Sequence, residues 1–308
     1  MPMLMFRDFR PPARGFVAYP DLLDKQGFTL IELMIAVALS GVVIAAIYNV
    51  FISQYRSSII QDQVAEMQQN ARIAMEFLAR DIRMAGFGVP ATEVNGFENE
   101  ITAANNINNG TDEITIVAAY DQVSTLSDNA LKGNNTIILQ SSTDANKFNT
   151  GAKRYLCLEG ISQEDNYEVI EIIGNQLTVS PDLTRNYSVN CPVFLVKAIT
   201  YRIDFADPNH PCLRRDENTG GGAQQLAENI EDLQLAYQDK DGNWFDSPPV
   251  AEDIRAVRIN ILARTSREDP NWRLGIRPPI EDHAGAQERD GYRRRLLTTV
   301  VKVRNMGL

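Results

Sequence analysis

The sequence predicts an α+β fold: one long N-terminal helix, membrane-spanning in its first half and amphipathic in its second, packed on a β-rich antiparallel C-terminal head. Three observations predict it. Residues 33–52 carry no charge, and twenty helical residues rise about 30 Å, the thickness of a bilayer's hydrocarbon core. Ile60, Val64, Met67, Ala71, Ala74, Leu78 and Ile82 then recur at steps of 4, 3, 4, 3, 4 and 4, the spacing of one helix face. Beyond Pro90, short β-branched runs alternate with turn residues, the pattern of a sheet.

Residues 1–27 hold Arg7, Arg10, Arg14 and Lys25, with Pro11, Pro12 and Pro20 interrupting any helix. The positive-inside rule keeps these cations in the cytoplasm and sends the rest of the chain outward. Within the apolar segment 28–52 the odd residue is Glu32. A carboxylate at the centre of a membrane helix costs roughly 2.5–3.5 kcal/mol on insertion scales, so it either reaches water at the headgroup boundary or meets a partner. Gly41 and Ala45 form a small-x-x-x-small pair that permits close helix approach in lipid.

The stretch Lys25-Gln26-Gly27-Phe28-Thr29-Leu30-Ile31-Glu32 resembles the leader junction of type IV prepilins and of type II secretion pseudopilins. The resemblance implies a type IV pilin-like fold, cleavage after Gly27 by a prepilin peptidase, and N-methylation of Phe28. It also implies that Glu32 meets the N-terminal amine of a neighbouring subunit, cancelling two charges that would each be costly alone. A secretory signal would be cut after its apolar core; here the cut precedes it, so the helix stays with the mature protein. Gly41 falls where major pilins often carry a glycine, but the proline they carry eight residues later is Asn49 here. That departure fits a minor pilin or pseudopilin.

From Ser53 no helix breaker occurs before Gly86, and Gly86, Gly88 and Pro90 supply the stop. One helix over 28–85 is predicted, its second half (53–86) presenting the apolar stripe with Gln, Arg, Glu and Asp opposite. Residues 78–88, Leu-Ala-Arg-Asp-Ile-Arg-Met-Ala-Gly-Phe-Gly, resemble the end of this helix in PilW-type minor pilins and the related J-type pseudopilins. The head is expected over 87–308. Residues 90–110 read as a loop. Strands are predicted at 113–119, 136–140, 154–158, 167–173, 176–180, 193–205, 230–237, 253–264 and 293–303, with Gly174-Asn175 as a two-residue hairpin turn and Gly220–Gly222 as a flexible break. In 253–264, Ile254, Val257, Ile259 and Ile261 mark the inward face, and the 254-to-257 step suggests a bulge near Ala256. Segments 228–245, 253–264 and 292–305 resemble the second half of PilW-type proteins, whereas 100–220 resembles no family segment and is expected to be the variable region.

A net charge of −10 and a sequence pI near 4.9 argue against a phosphate-binding surface, so no nucleic-acid partner is expected. The basic run Tyr292-Arg293-Arg294-Arg295 is read as a solvent-facing or edge segment. Cys157, Cys191 and Cys212 lie in a region expected to be exported; one bridge, Cys157–Cys191 ahead of the pairings with Cys212, and one remaining thiol are predicted. No zinc or other metal spacing, P-loop, nucleophile elbow or H-E-x-x-H occurs, so no catalytic residue and no cofactor are assigned. His210 and His283 are read as surface residues. Asp239-Lys240-Asp241-Gly242-Asn243 resembles part of a calcium loop, but the position due a bidentate glutamate holds Val250, and a hairpin turn is preferred.

The resemblance implies a structural subunit of type IV pili that helps prime assembly and sits at the fibre tip. Its partners would be other minor pilins, the major pilin and the prepilin peptidase; it would be a single-pass inner-membrane protein with a periplasmic head until it enters the fibre. The rival readings are a J-like minor pseudopilin of type II secretion, a tip adhesin using 100–220 as its binding surface, and a membrane-anchored enzyme.

Overall fold

The long helix forms where the apolar pattern places it. α1 runs Leu30–Met84. The computed structural model describes residues 27–89, 93–149, 154–159, 165–248 and 250–306; the expectations drawn from residues 1–26 lie outside them. Contacts divide the chain into two units, Met1–Arg56 and Ser57–Leu308.

In the first unit the described residues are a three-residue lead, 27–29, and the start of α1. Its large apolar side chains are mostly exposed, Val42 at 68% and Phe51 at 62% among them, and the helix is long and apolar enough to cross a membrane. Ser40 Oγ donates back to the Ala36 carbonyl at 2.7 Å, which satisfies its hydroxyl inside the helix.

In the second unit the remainder of α1 lays its stripe on two antiparallel sheets. The larger contains β1 (Ile101–Ile107), β2 (Thr111–Thr125), β7 (Pro192–Asp204), β4 (Tyr155–Leu158), β5 (Asn166–Ile173), β6 (Gln176–Ser180) and β3 (Thr136–Ile138) in that spatial order. β8 (Cys212–Asp216) pairs with β7, and β9 (Gln224–Glu228) with β8. The smaller sheet has the order β11 (Trp244–Phe245), β10 (Ile230–Gln238), β12 (Ala256–Arg264), β13 (Arg294–Lys302). Met67, Ala71, Ala74, Leu78, Ile82 and Ala85 form one core with Ile116 of β2, Ile199 of β7, Leu235 of β10 and Ile259 of β12. One helix face therefore seals both sheets, each large side chain contributing about 1.5–3 kcal/mol by leaving water. A second core gathers between β2, β4, β5 and β6 beneath α2 (Ser142–Asn146), around Leu126, Phe148 and Leu156.

Gly86 ends α1 in the left-handed region at φ +80°, where a side chain is strained. The freed carbonyls of Met84 and Ala85 accept from the Asn305 side chain at 3.5 and 3.4 Å, so the last described turn of the chain closes the helix.

Several expectations are corrected. Residues 101–107 form β1, where the Asn-rich run predicts a loop. Gly220–Gly222 is the connection of the β8–β9 hairpin. The irregularity between β10 and β12 lies at Ile230–Asp232 instead of near Ala256, because a 3₁₀ turn at Ala251–Asp253 absorbs the offset before the strand begins. No Cys157–Cys191 bridge forms. All three cysteines are buried thiols, and alternation along β4 puts Cys157 with Val89, Ala119 and Ala198 while Cys191 packs with Leu156 and Leu158 on the other face. A sheet separates the two sulfurs. The 239–243 segment, in contrast, is the hairpin turn the sequence predicts: Asp239 N donates to Asn243 O, and Gln238 pairs with Trp244.

Candidate functional site at the start of the helix

Thr29 is the N-cap of α1: its carbonyl accepts from Leu33 N at 3.2 Å. Its hydroxyl accepts from the Glu32 backbone N–H at 3.3 Å and donates to Glu32 Oε2 at 2.8 Å; the Thr29 backbone N–H also donates to Oε2, at 2.9 Å. This is a reciprocal capping box, which satisfies free N–H groups of the first turn with a Thr and a Glu three residues apart. The Thr29-x-x-Glu32 spacing stands in the sequence, so the cap could have been read there.

The arrangement holds the carboxylate at the positive end of the helix and uses one of its oxygens. Oε1 makes no hydrogen bond among the described residues. Phe28, 92% exposed, and Gly27, with nothing within 4 Å of its Cβ position, extend clear of the cap. A peptidase could reach such a peptide bond, and an incoming ammonium could reach such a carboxylate. Gly41 likewise has nothing within 4 Å of where a Cβ would stand, which leaves its side of the helix open to close approach. The structure thus brings Phe28, Thr29 and Glu32 together at the helix start; Gly41 lies three turns on, and Cys157 and Cys191 belong to the head.

Two polar clusters in the head were not foreseen. Asp81, placed by periodicity on the wet face, is fully buried. It accepts from Tyr201 OH at 2.5 Å and from Arg80 Nε at 3.0 Å, with Arg215 Nε 3.6 Å away. Burial, then the Asp81 charge, push the Tyr201 hydroxyl's pKa up, so it stays a donor. The second cluster joins the two sheets. Asp232 is fully buried and accepts from Gln234 Nε2 at 2.9 Å and Arg277 Nη1 at 3.1 Å, with His283 Nδ1 at 2.8 Å. His283 is thus drawn inward, against the expectation of a surface residue, whereas His210 is exposed. Nearby Asp112 accepts from Asn106 N and Leu235 N; burial raises its pKa to about 7, the charges of Asp282 and Asp232 adding to the effect. Of the 292–295 run, Arg294 is folded in against Glu231 and Asp290, and Arg295 is exposed. Among the described residues no group of three or more His, Cys, Asp or Glu side chains is placed to hold a metal ion.

Comparison with known proteins agrees with both ends of the chain. Residues 23–48 match the family model of the prokaryotic N-terminal methylation motif, and residues 200–305 match that of the Type IV Pilus-assembly protein W. No curated protein matches the chain. Among solved structures, a type IV-like pilin from Thermus thermophilus aligns at 12% identity, covering 81% of this chain and 98% of its own, with a TM-score of 0.36. The methylation-motif match thus falls on the start of the apolar helix, and the W-type match covers the part of the head that holds β10, β12 and β13.

Proposed function

We propose that the chain is a minor pilin, a non-catalytic subunit that primes type IV pilus assembly and occupies the fibre tip. The observation that carries this reading is the junction itself: Gly27-Phe28 directly before an acid-bearing apolar helix, within the matched methylation motif. On this reading 1–27 is the leader removed by prepilin peptidase, 28–52 spans the inner membrane, 53–86 is the periplasmic half of the helix, and 87–308 is the periplasmic head, with 100–220 its variable part.

Assembly then follows from charge. Once Phe28 is the first residue, its methylated nitrogen is a cation at the mouth of a lipid-embedded helix. Glu32, held by Thr29, has an oxygen left to accept the corresponding cation of a neighbouring pilin. Pairing the two removes both uncompensated charges from lipid, and because only one axial offset joins them, the pair fixes register between subunits. Gly41 allows the helices to come close enough for packing to add to the pair.

The N-terminal residue of the protein from cells with a working prepilin peptidase, read by mass spectrometry, tests this. N-methylated Phe28 is the expected result. A chain retaining residues 1–27 overturns the reading.

A further inference from the structure

The edges of the two sheets are not alike. β3 has three residues, β11 two and β9 five. β1 is broken by a register shift between Ala104 and Ile107, and its Asn105 and Asn106 side chains are tied to Asp282. These are the short or bulged edges by which proteins avoid unwanted strand pairing. β13 is different: nine residues pair with β12 without a shift, from Ala256 opposite Lys302 to Arg264 opposite Arg294.

The bonds at its two ends fix which of its backbone groups are in use. Val303 N donates to Arg255 O, and Thr265 N donates to Arg293 O. Both involve odd-numbered residues of this segment, and in an antiparallel ladder alternate residues bond the same neighbour. Residues 295, 297, 299 and 301 therefore bond β12. The N–H and C=O groups of Arg294, Leu296, Thr298, Val300 and Lys302 turn to the open side, where no strand pairs among the described residues. Between its charged ends this edge carries apolar and β-branched side chains, with Leu296 40% and Val300 52% exposed. Arg295, Lys302 and Arg304 are exposed at its ends and make no ion pair among the described residues, in a chain of net charge −10.

We propose that β13 is a docking strand for an extended segment of another protein, one with β-branched or apolar residues in its middle and acidic residues at both ends. Its backbone continues the smaller sheet by one strand, bonding the outward groups of Leu296, Thr298 and Val300. Its acids face Arg295 at one end and Lys302 and Arg304 at the other. A second copy of this chain is the wrong occupant for β13: whichever way two such strands align, cations meet cations. The inference concerns the head alone and does not rest on the assembly reading.

The test uses the full-length protein in detergent with three synthetic probes. One is Glu-Glu-Val-Thr-Val-Thr-Val-Glu-Glu, one replaces its four glutamates by lysines, and one replaces its central valine by proline. The acid-ended peptide is expected to slow amide exchange at Leu296, Thr298 and Val300 and to bind about tenfold tighter than the lysine-ended one, with the proline version inactive. Val300→Pro removes one outward N–H and leaves the β12 ladder intact; it is expected to abolish binding at an unchanged melting temperature. Exchanging both Arg295 and Lys302 for Glu is expected to invert the preference between the acidic and basic peptides, and this holds the proposal to account even if the proline variant unfolds. Equal binding of the two peptides, no slowing at the three amides, or slowing that appears with protein concentration alone overturns it.

Discussion

Glu32 and Asp81 are two acids on one helix, and the chain treats them in opposite ways. Glu32 is held by a residue three positions away, through a cap that the first turn makes by itself, and it remains open to the outside. Asp81 is held from 120 positions away by Tyr201, with Arg215 beside it, and has no exposed surface. A carboxylate satisfied locally keeps capacity for a partner molecule. One satisfied by tertiary contacts is committed to its own fold. On the proposed function, the same helix serves assembly at one end and head stability at the other.

Substitutions should separate the two roles. The largest effect is expected from Asp81→Ala, which strands the Tyr201 hydroxyl and removes a counter-charge from Arg215. Breaking one side of a buried pair costs about 3–5 kcal/mol, to be read as a lowered denaturant midpoint of the head. The matching Glu32→Ala change should leave that midpoint unmoved, and a comparable loss there would break the comparison.

Next in size is Gly86→Ala against Gly41→Ala. At Gly86 a Cβ would sit 3.1 Å from Asn305 O in a backbone at φ +80°, and a strained left-handed residue costs on the order of 1–3 kcal/mol. At Gly41 nothing stands nearby, so the head's melting temperature should not change, whatever happens to helix packing between subunits.

The third is a pH dependence confined to the head. Burial raises the Asp112 carboxyl pKa to about 7, so between the usual carboxylate range and that value the folded state keeps a proton the unfolded state has released. Its contribution to stability therefore falls as pH rises through this window, by at most about 1.4 kcal/mol per pH unit, and levels off above it. Wild type should lose its advantage over Asp112→Asn between pH 4 and pH 7 in unfolding experiments; parallel curves would show that Asp112 is not the group responsible.

Smallest is Thr29→Ala, which removes the hydroxyl from the cap. About 1 kcal/mol of helix-start stability should be lost, seen as faster amide exchange at residues 30–33 with the head unaffected.

How much of this the residues announced depends on the range over which each element is decided. α1 was legible from end to end because a charge-free run and a helical stripe are local patterns, and Gly86 marks its stop. β7, β10 and β12 were legible as apolar alternation. β1 was not, because Asn105, Asn106, Asn108 and Asn109 look like turn formers; pairing with β2 overrides that preference up to the turn itself, where Asn106, Asn108 and Asn109 do take positive φ. Asp81 and His283 were misplaced for a related reason. Each is an ordinary surface residue until a distant Tyr201 or Asp232 meets it, and no local pattern encodes that meeting. The cysteine pairing failed on parity, since Cys157 faces one side of β4 and Cys191 packs on the other.

On the proposed function, Glu32 keeps its charge for another subunit while the cap merely holds it in place. Glu32→Gln separates the two, because glutamine preserves a capping box but carries no charge to neutralise an ammonium. The fraction of this protein recovered in sheared fibres from cells producing the variant is the direct measurement. The glutamine variant is expected to stay in the membrane, processed and with a normally melting head, and to be lost from fibres. Incorporation at the wild-type level would contradict it.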